Sequence, residues 1–287
     1  MRNASKWLVA VAMVALVLAV VAVTGCTSAT SSTTGPTTTA PATTTVVVKT
    51  VKPGVLQFGS DTAFPPFETM NGTTAEGFDV DLAAAIAKEM GLTSEFVSQK
   101  FDTLIPQLNA GGKFDAVMSG MTITDERKKQ VDFSSPYIDS NQSVAVLKGK
   151  GYTKIPVGDT AAIQKALTGK VIGVQSGTTG EAWAKENLKK AKQVTPFDDT
   201  LSAFAALSAG KVDAIVNDLP VSAYIVKDPA RNMELIAEIP TGEQYGIALS
   251  KTTPELTKAI DDALAKVKAS GEYATIYQKW FGVAPPQ

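Results

Sequence analysis

Four segments of the sequence place polar side chains directly after an apolar run, where a strand of an α/β sheet would end. Ligands of open α/β sheets bind beyond the carboxyl ends of the strands, where the helices that follow have free N–H groups. The four segments therefore predict one ligand site. They contribute, in chain order, Asp61 with Phe64, then Ser119, Gly120, Thr122 and Arg127, then Gln175 with Thr179, and last Asp218.

One part of this site has the residue types that would hold a carboxylate and an ammonium group. Arg127 carries a planar guanidinium suited to a carboxylate, with Ser119, the Gly120 backbone and Thr122 as neutral donors beside it. Asp218 would bind the ammonium group. Each charge also has a purely structural interpretation: Arg127 as one more solvated helix charge, and Asp218 as the cap of the following helix.

Another part of the site would meet an organic side chain. Asp61 supplies a carboxylate beside the aromatic segment 64–67, although it could also be an ordinary turn residue. Segment 171–180 leads a strand into a Gly/Thr turn that resembles an anion cradle, but it lacks the lysine and the spacing of a Walker A loop. Together the residue types complement an α-amino acid, and none of them suggests bond breaking.

The composition excludes several classes of protein. Among 287 residues, 44% are apolar and 19% are charged, so the chain can bury a core. The net charge of −1 becomes −3 without residues 1–25, which argues against a nucleic-acid binder. Histidine is absent and cysteine occurs once, which excludes histidine-based catalysis, an intrachain disulfide and thiolate-rich metal sites. We expect neither a metal nor a cofactor.

The first residues have the pattern of a bacterial lipoprotein signal. Arg2 and Lys6 precede an uncharged run over 7–23, and the single cysteine, Cys26, follows a small residue at once. We expect cleavage before Cys26, lipidation of its thiol, and a Thr-rich tether over 26–50 that holds an extracytoplasmic body at the cell membrane. The alternative is an uncleaved anchor helix.

From about residue 51, short β-runs alternate with helical patterns, which is typical of an α/β fold. Asp79 and Asp102 would cap helices, and 115–119, 143–147 and 245–249 would be strands. Tyr273, Tyr277 and Trp280 near the end are predicted to pack in the core.

A helix–turn–strand unit occurs twice, over 101–119 and again over 197–217, which indicates two related lobes. We expect lobe 1 to contain 51–139 and the return segment 243–287, with lobe 2 over 140–242, and two β-crossings between the lobes.

The sequence resembles the amino-acid-binding proteins of ABC importers, the glutamine, histidine and lysine/arginine/ornithine receptors of bacterial solute-binding protein family 3. The resemblance covers about 51–282 and implies a two-lobed periplasmic-binding-protein fold whose crossings form a hinge. The motifs that carry it are SDTAFPPF at 60–67, GFDVDL at 77–82, GMTITDERKK at 120–129, DFSSPY at 132–137 and YQKWFG at 277–282.

Carried over by position, the resemblance implies that Ser119, Gly120, Thr122, Arg127 and the Thr179 backbone bind the α-carboxylate. It also implies a free-standing monomeric receptor that delivers its ligand to an ABC permease. The alternatives are a dehydratase-like cleft enzyme on the same fold and a ligand-sensing receptor domain, which would need further segments that this sequence does not show.

For the other ligand groups, the resemblance implies that Asp218 binds the α-ammonium, that Asp61 and Phe64 contact the side chain, that Phe101 covers it, and that Gln175 lies at its end. The glutamine receptors have a lysine in place of Gln175, which would repel a cationic ligand. We therefore expect a polar or cationic amino acid, arginine first and glutamine next.

Overall fold

The computed structural model describes residues 48–286. The predicted signal segment, Cys26 and most of the predicted tether lie outside these residues. Within 48–286, no helix combines the length and the apolar character needed to span a membrane.

Strands and helices alternate along the described chain. The strands are β1 (Val55–Ser60), β2 (Ala63–Phe64), β3 (Glu68–Asn71), β4 (Thr74–Glu76), β5 (Thr93–Ser98), β6 (Ala116–Val117), β7 (Asp132–Phe133), β8 (Ile138–Leu147), β9 (Val171–Gln175), β10 (Gln193–Phe197), β11 (Ala214–Asp218), β12 (Met233–Tyr245) and β13 (Ala248–Leu249). The α-helices are α1 (Phe78–Glu89), α2 (Leu104–Ala110), α3 (Asp125–Lys128), α4 (Thr160–Ala166), α5 (Thr179–Asn187), α6 (Thr200–Ser208), α7 (Leu219–Val226), α8 (Pro254–Ala269) and α9 (Glu272–Phe281). Two short 3₁₀ helices span Phe101–Thr103 and Pro229–Arg231.

The strands form two five-stranded sheets with the same plan, and we call the parts built on them lobe 1 and lobe 2. Lobe 1 has the order β5-β1-β6-β13-β7, and lobe 2 has the order β10-β9-β11-β8-β12. In each sheet the first three strands are parallel and the fourth is antiparallel. The two copies of the repeated unit end in β6 and β11, which occupy the same place in their sheets. The predicted α/β class with two related lobes is confirmed, while the exact boundaries at 139/140 and 242/243 stay a prediction.

Two long strands connect the lobes. β8 leads from lobe 1 into lobe 2, and β12 leads back to β13 of lobe 1. The two strands pair with each other in antiparallel fashion from Ile138 opposite Tyr245 to Leu147 opposite Met233. The expected pair of crossings is therefore a single hydrogen-bonded ribbon, with a shift of register between Ile239 and Glu243.

Two predicted caps are wrong. α1 begins after Gly77, whose φ of 148° favours glycine and where a Cβ would lie 1.9 Å from the Phe67 carbonyl oxygen. Asp79 is therefore inside the first turn of α1 and fully buried. Asp102 lies in the 3₁₀ helix before α2 and makes no capping bond, because α2 begins only after Thr103.

Two predicted strands differ in extent. The strand expected over 115–119 is reduced to Ala116–Val117, since the chain then turns into the segment that leads to α3. The strand expected over 245–249 is divided between the end of β12 and β13. The break occurs where the chain leaves the sheet of lobe 2 and enters that of lobe 1, so one strand could not serve both.

The C-terminal aromatic residues close the core of lobe 1. Tyr273 and Tyr277 meet the Phe78 ring edge-on, with centroids 5.9 and 6.0 Å away. Trp280 packs against the same core and donates its ring N–H to Asp81 at 2.6 Å. The predicted packing role of these residues is confirmed, and α8 and α9 thereby hold α1 in place.

Candidate functional site

The ends of the parallel strands bring the predicted residues to one cleft between the lobes. Asp61 follows β1, Gln175 ends β9, and Asp218 ends β11. The cavity measures only about 10 Å³, because side chains of the two lobes meet across it. Its lining consists of Phe64, Phe101, Gly120, Thr122, Arg127, Gln175, Thr178, Thr179 and Asp218.

The Arg127 guanidinium is fixed at one wall of the cleft. Thr124 caps α3 by accepting the Arg127 backbone N–H at 3.2 Å, which sets the direction of the helix. The guanidinium donates to the Thr122 carbonyl at 2.7 Å and to the Gly177 carbonyl of lobe 2 at 3.1 Å, and it lies 5.2 Å from the centre of the Phe101 ring. Burial lowers the pKa of Arg127, while nearby acidic groups raise it. Guanidinium remains charged in proteins, so this wall presents a fixed cation.

Two backbone N–H groups face the same region. Thr122 forms a bridge with Tyr245, flanked by hydrogen bonds from Ile123 to Gln244 and from Gly246 to Met121. In this pattern the N–H and C=O of Thr122 both point away from β12, on the side where its carbonyl meets the guanidinium.

Thr179 supplies the second group, because it is the first residue of α5 and its N–H has no acceptor within the helix. The positive end of the α5 dipole adds to the field there. A guanidinium and two N–H groups thus face one region of the cleft, and the expected part of the Thr179 backbone in binding a carboxylate there stays a prediction.

Ser119 and Gly120 require a correction. The Ser119 hydroxyl donates to Glu68 at 2.8 Å, and the Gly120 N–H donates to Asp79 at 3.0 Å, so both donors face the interior of lobe 1. Their predicted donation to a ligand carboxylate is wrong, because two buried acids take these protons. Gly120 still lines the cleft, where its φ of 51° and the Phe64 ring, 2.8 Å from any added Cβ, both require glycine.

Asp218 is the buried acidic wall of the cavity that Arg127 also lines. It stands at the cap position of α7 but makes no capping bond. Instead, it accepts hydrogen bonds from the Gln142 amide at 2.5 Å and from the Tyr245 hydroxyl. Burial, followed by the nearby charge of Glu243, raises the pKa of Asp218 to about 7. A cation placed here would favour the ionised form.

The end of the cleft that contains Asp61 and Gln175 is polar. Among the described lining residues, Arg127 is the only cation, and it belongs to the other end. The Gln175 amide of lobe 2 donates to the Asp61 carboxylate of lobe 1, and its oxygen accepts from Thr200 at 2.8 Å. Burial raises the pKa of Asp61 to about 7, and the Gln175 hydrogen bond opposes this shift. Phe64 and Phe101 supply the apolar surface, and both are nearly fully buried.

Sequence reasoning missed Gln142, Glu243 and Tyr245, which lie on the crossing strands. Glu243 accepts hydrogen bonds from the hydroxyls of Thr122 at 2.9 Å and Thr179 at 2.7 Å. A signal existed: Glu243 and Tyr245 are two residues apart, so they share one face of β12. In the described residues, no group of three or more His, Cys, Asp or Glu side chains is arranged to hold a metal ion.

The chain is similar to a well-populated set of known proteins. A family model described as bacterial extracellular solute-binding proteins, family 3, matches residues 56–283. The ABC transporter arginine-binding protein 1 of Escherichia coli (strain K12) is 35% identical over 233 residues, which are 79% of this chain and 90% of that protein.

Two solved structures of an ancestral arginine-binding protein are also similar. The one bound to arginine is 43% identical with a TM-score of 0.73, covering 80% of this chain and 99% of the other. The one bound to glutamine is 42% identical, with the same TM-score of 0.73 and the same coverage of 80% and 99%. Both the fold and its two-lobed plan are therefore shared with proteins of known structure.

Proposed function

Because the chain belongs to the bacterial extracellular solute-binding proteins of family 3, we propose that it captures a polar or cationic L-amino acid, arginine first and glutamine second, and delivers it to the transmembrane subunits of an ABC permease. Proteins of this family act outside the cytoplasm, as the family description states. The relatives described above are binding proteins, and this chain is a binding protein rather than an enzyme.

The observation that carries the proposal is that Arg127 and Asp218, a cation and an acid, line the same small cavity. Arg127, with the N–H groups of Thr122 and Thr179, suits an α-carboxylate, and Asp218 suits an α-ammonium. A zwitterion that spans the two walls satisfies both buried charges, whereas a ligand with only one of these groups leaves a buried charge unpaired.

The side-chain end favours arginine. Asp61 offers a buried carboxylate, Gln175 carries no charge, and Arg127 is the only cation among the described lining residues. A guanidinium satisfies Asp61 by charge as well as by hydrogen bonding, and hydrogen bonds to charged groups contribute ~1.5–3 kcal/mol against ~1 kcal/mol for neutral ones. The Phe64 and Phe101 rings add cation–π attraction of about 0.5–2 kcal/mol. The similar ancestral arginine-binding protein that was solved with arginine bound supports this choice.

Glutamine is the second candidate because of one contact. The neutral amide of Gln175 already satisfies Asp61 by hydrogen bonding, so a ligand amide can do the same. A similar ancestral arginine-binding protein has been solved with glutamine bound, which agrees with a small energetic difference between the two ligands.

A thermal-shift screen of the twenty amino acids plus ornithine tests the proposal on the full chain. A ligand at 100 times its dissociation constant stabilises the folded protein by about 2.7 kcal/mol. We expect arginine to give the largest shift, followed by glutamine. If no amino acid raises the unfolding temperature, the proposed function is wrong. If glutamine gives a larger shift than arginine, only the proposed order of preference is wrong.

We further propose that the protein acts as a monomer held at the outer face of the cell membrane through a lipid on Cys26. The support is the apolar run over 7–23 that ends just before the single cysteine. Mass spectrometry of the membrane-extracted protein should show a lipid on Cys26 that is missing in Cys26→Ala. An unmodified Cys26 would contradict the anchor and leave the ligand proposal intact. Size-exclusion chromatography tests the monomer.

A further inference from the structure

Glu243 is the one acidic side chain of the crossing ribbon that reaches the cleft in the described chain and contacts both lobes there. Its Oε2 atom accepts the hydroxyl of Thr122 from lobe 1 at 2.9 Å and the hydroxyl of Thr179 from lobe 2 at 2.7 Å. The Gln142 amide, which also donates to Asp218, lies 3.2 Å from the same oxygen. Glu243 thus joins the two threonines to the acidic wall.

The direction of these hydrogen bonds follows from the groups involved. An ionised carboxylate has only acceptor oxygens, so each threonine hydroxyl must donate its single proton to Glu243. The hydroxyl oxygens then turn their lone pairs away from Glu243. Within the described residues, the Thr122 oxygen receives no other hydrogen bond, whereas the Thr179 oxygen also accepts from Gln142 at 3.2 Å.

This direction reverses the chemistry that the sequence suggests for Thr122. A hydroxyl whose proton is held by Glu243 can accept from an ammonium group but cannot donate to a carboxylate. The carboxylate subsite therefore depends on Arg127 and backbone N–H groups, while Thr122 lines the same cavity as the acceptor Asp218.

We infer that Glu243 is a positioning residue for the α-ammonium of the ligand: by holding the Thr122 and Thr179 hydroxyl protons, it makes these side chains acceptors and so selects ligands that carry an α-amino group. The inference rests on the proposed function and adds a residue and a specificity to it. Glu243 need not touch the ligand for this effect, because the Thr122 oxygen transmits it.

The test compares two ligands that differ only in the α-amino group. Calorimetry on the full chain measures L-arginine against 5-guanidinopentanoate, and L-glutamine against 4-carbamoylbutanoate. In Glu243→Gln, the neutral amide oxygen holds the two hydroxyl protons more weakly than the carboxylate does, since hydrogen bonds to ionised acceptors are the stronger ones. We expect affinity for the amino acids to fall about tenfold, and affinity for the deamino analogues to change less than twofold. An equal loss for both ligands of a pair would mean a merely structural role and would overturn the inference.

Variants of Thr122 separate positioning from the charge of Glu243 alone. Thr122→Val keeps the charge and removes the oxygen, so it should weaken the preference for the α-amino group that Asp218 also supports, and Thr122→Ser should retain it. An unchanged preference in Thr122→Val would overturn the inference. Glu238→Gln is the matched control, since Glu238 lies on β12 and accepts from Asn141 at 3.0 Å away from the cleft lining.

The outcome also separates this inference from the proposed function. If wild-type protein binds neither arginine nor glutamine, the proposed function fails and the role of Glu243 with it. If wild-type protein binds an amino acid, and both Glu243→Gln and Thr122→Val weaken ligand and deamino analogue alike, only the role of Glu243 fails.

Discussion

The Asp61 carboxylate of lobe 1 accepts a hydrogen bond from the Gln175 side-chain amide of lobe 2. Thr200 donates to the Gln175 oxygen at 2.8 Å, so the amide is held with its N–H₂ group towards Asp61. The far end of the cleft is therefore defined by one acidic group and one neutral donor. Ligands whose side chains differ in charge should therefore differ in affinity at this end of the cleft.

The first prediction concerns pH. Burial raises the pKa of Asp61 to about 7, so the carboxylate becomes ionised as the pH rises from 5.5 to 8. Arginine gains from the ionised form more than glutamine, and the ratio of arginine to glutamine affinity should rise by up to about tenfold per pH unit below that pKa. Calorimetry with both ligands measures the ratio, in which the titration of Asp218 cancels because both ligands carry the same α-ammonium.

Asp61→Asn is the control for this experiment, since its amide has no proton to lose in this range. Its affinity ratio should be independent of pH. A wild-type ratio that stays flat between pH 5.5 and 8 would mean that Asp61 does not face the ligand side chain.

The second prediction is a change of preference in Gln175→Lys. The new ammonium would pair with Asp61 and repel a guanidinium, because juxtaposed like charges oppose binding by several kcal/mol. Arginine affinity should fall at least about tenfold relative to glutamine affinity. Gln175→Met, of similar size and without charge, separates repulsion from the loss of the hydrogen bond. Competition binding in which Lys and Met variants keep the same arginine-to-glutamine ratio would contradict the argument.

The third prediction is a loss of binding in Arg127→Ala with the fold retained. Removing one partner of a buried charge pair costs roughly 2–5 kcal/mol, which corresponds to a ~30- to 5000-fold weaker affinity. Calorimetry measures the loss, and far-UV circular dichroism checks the fold. Lys128→Ala, on the exposed side of the same short helix, should bind like wild type. Wild-type affinity in Arg127→Ala would contradict the proposal that Arg127 binds the α-carboxylate of the ligand.

The fourth prediction concerns a pair of fully buried acids beneath the cleft. Glu68 accepts from Ser119 at 2.8 Å, and Asp79 accepts from Gly120 at 3.0 Å and from Tyr137 at 2.8 Å. Among the described residues, no group donates to Glu68 Oε2 or to Asp79 Oδ1. Burial, with the charge of Asp79, holds the pKa of Glu68 well above its usual range, and burial raises that of Asp79 to about 7.

Raised pKa values have a definite sign for stability. The contribution of this pair to the free energy of unfolding is fully present below about pH 4, near the pKa values of the two acids in the unfolded chain. It is lost as the pH rises through about 7. In Glu68→Gln the amide can supply a permanent proton to Asp79. Its unfolding temperature should therefore exceed that of wild type more at pH 8 than at pH 5, by about 2–4 °C for each further kcal/mol recovered.

Differential scanning calorimetry at the two pH values makes the comparison. Glu95→Gln serves as the control, because Glu95 is exposed and pairs only with surface groups. If the difference between Glu68→Gln and wild type is the same at pH 5 and pH 8, the two acids do not share a proton.

The sequence predicted the parts of the site that follow local rules. Asp61, Gln175 and Asp218 were found because each one follows an apolar strand, and the carboxyl ends of parallel strands meet at one edge. Tyr273 and Tyr277 were correctly predicted to pack against the core, as large aromatic residues close to a predicted helix. These signals depend only on neighbouring residues.

The rest of the site depends on contacts between distant segments. Glu243 enters the cleft because β12 shifts its register against β8 after Ile239. This shift could not be predicted from the residues around Glu243 alone. The donors Ser119 and Gly120 were assigned to the wrong acceptor, because Glu68 and Asp79 lie about 40–50 residues earlier in the chain. Hydrogen-bond direction follows from buried partners that only the folded chain brings together.

The position of β13 inside the lobe 1 sheet, rather than at its edge, has a consequence for how the protein folds. β13 lies between β6 and β7, although it follows the whole of lobe 2 in the chain. Lobe 2 is continuous in sequence, so it can complete its sheet while lobe 1 still waits for a strand. Long-range pairings of this kind form late, because the intervening chain must first be ordered. Ligand competence should therefore arise in the last step of folding, when β13 docks and α8 and α9 close over α1.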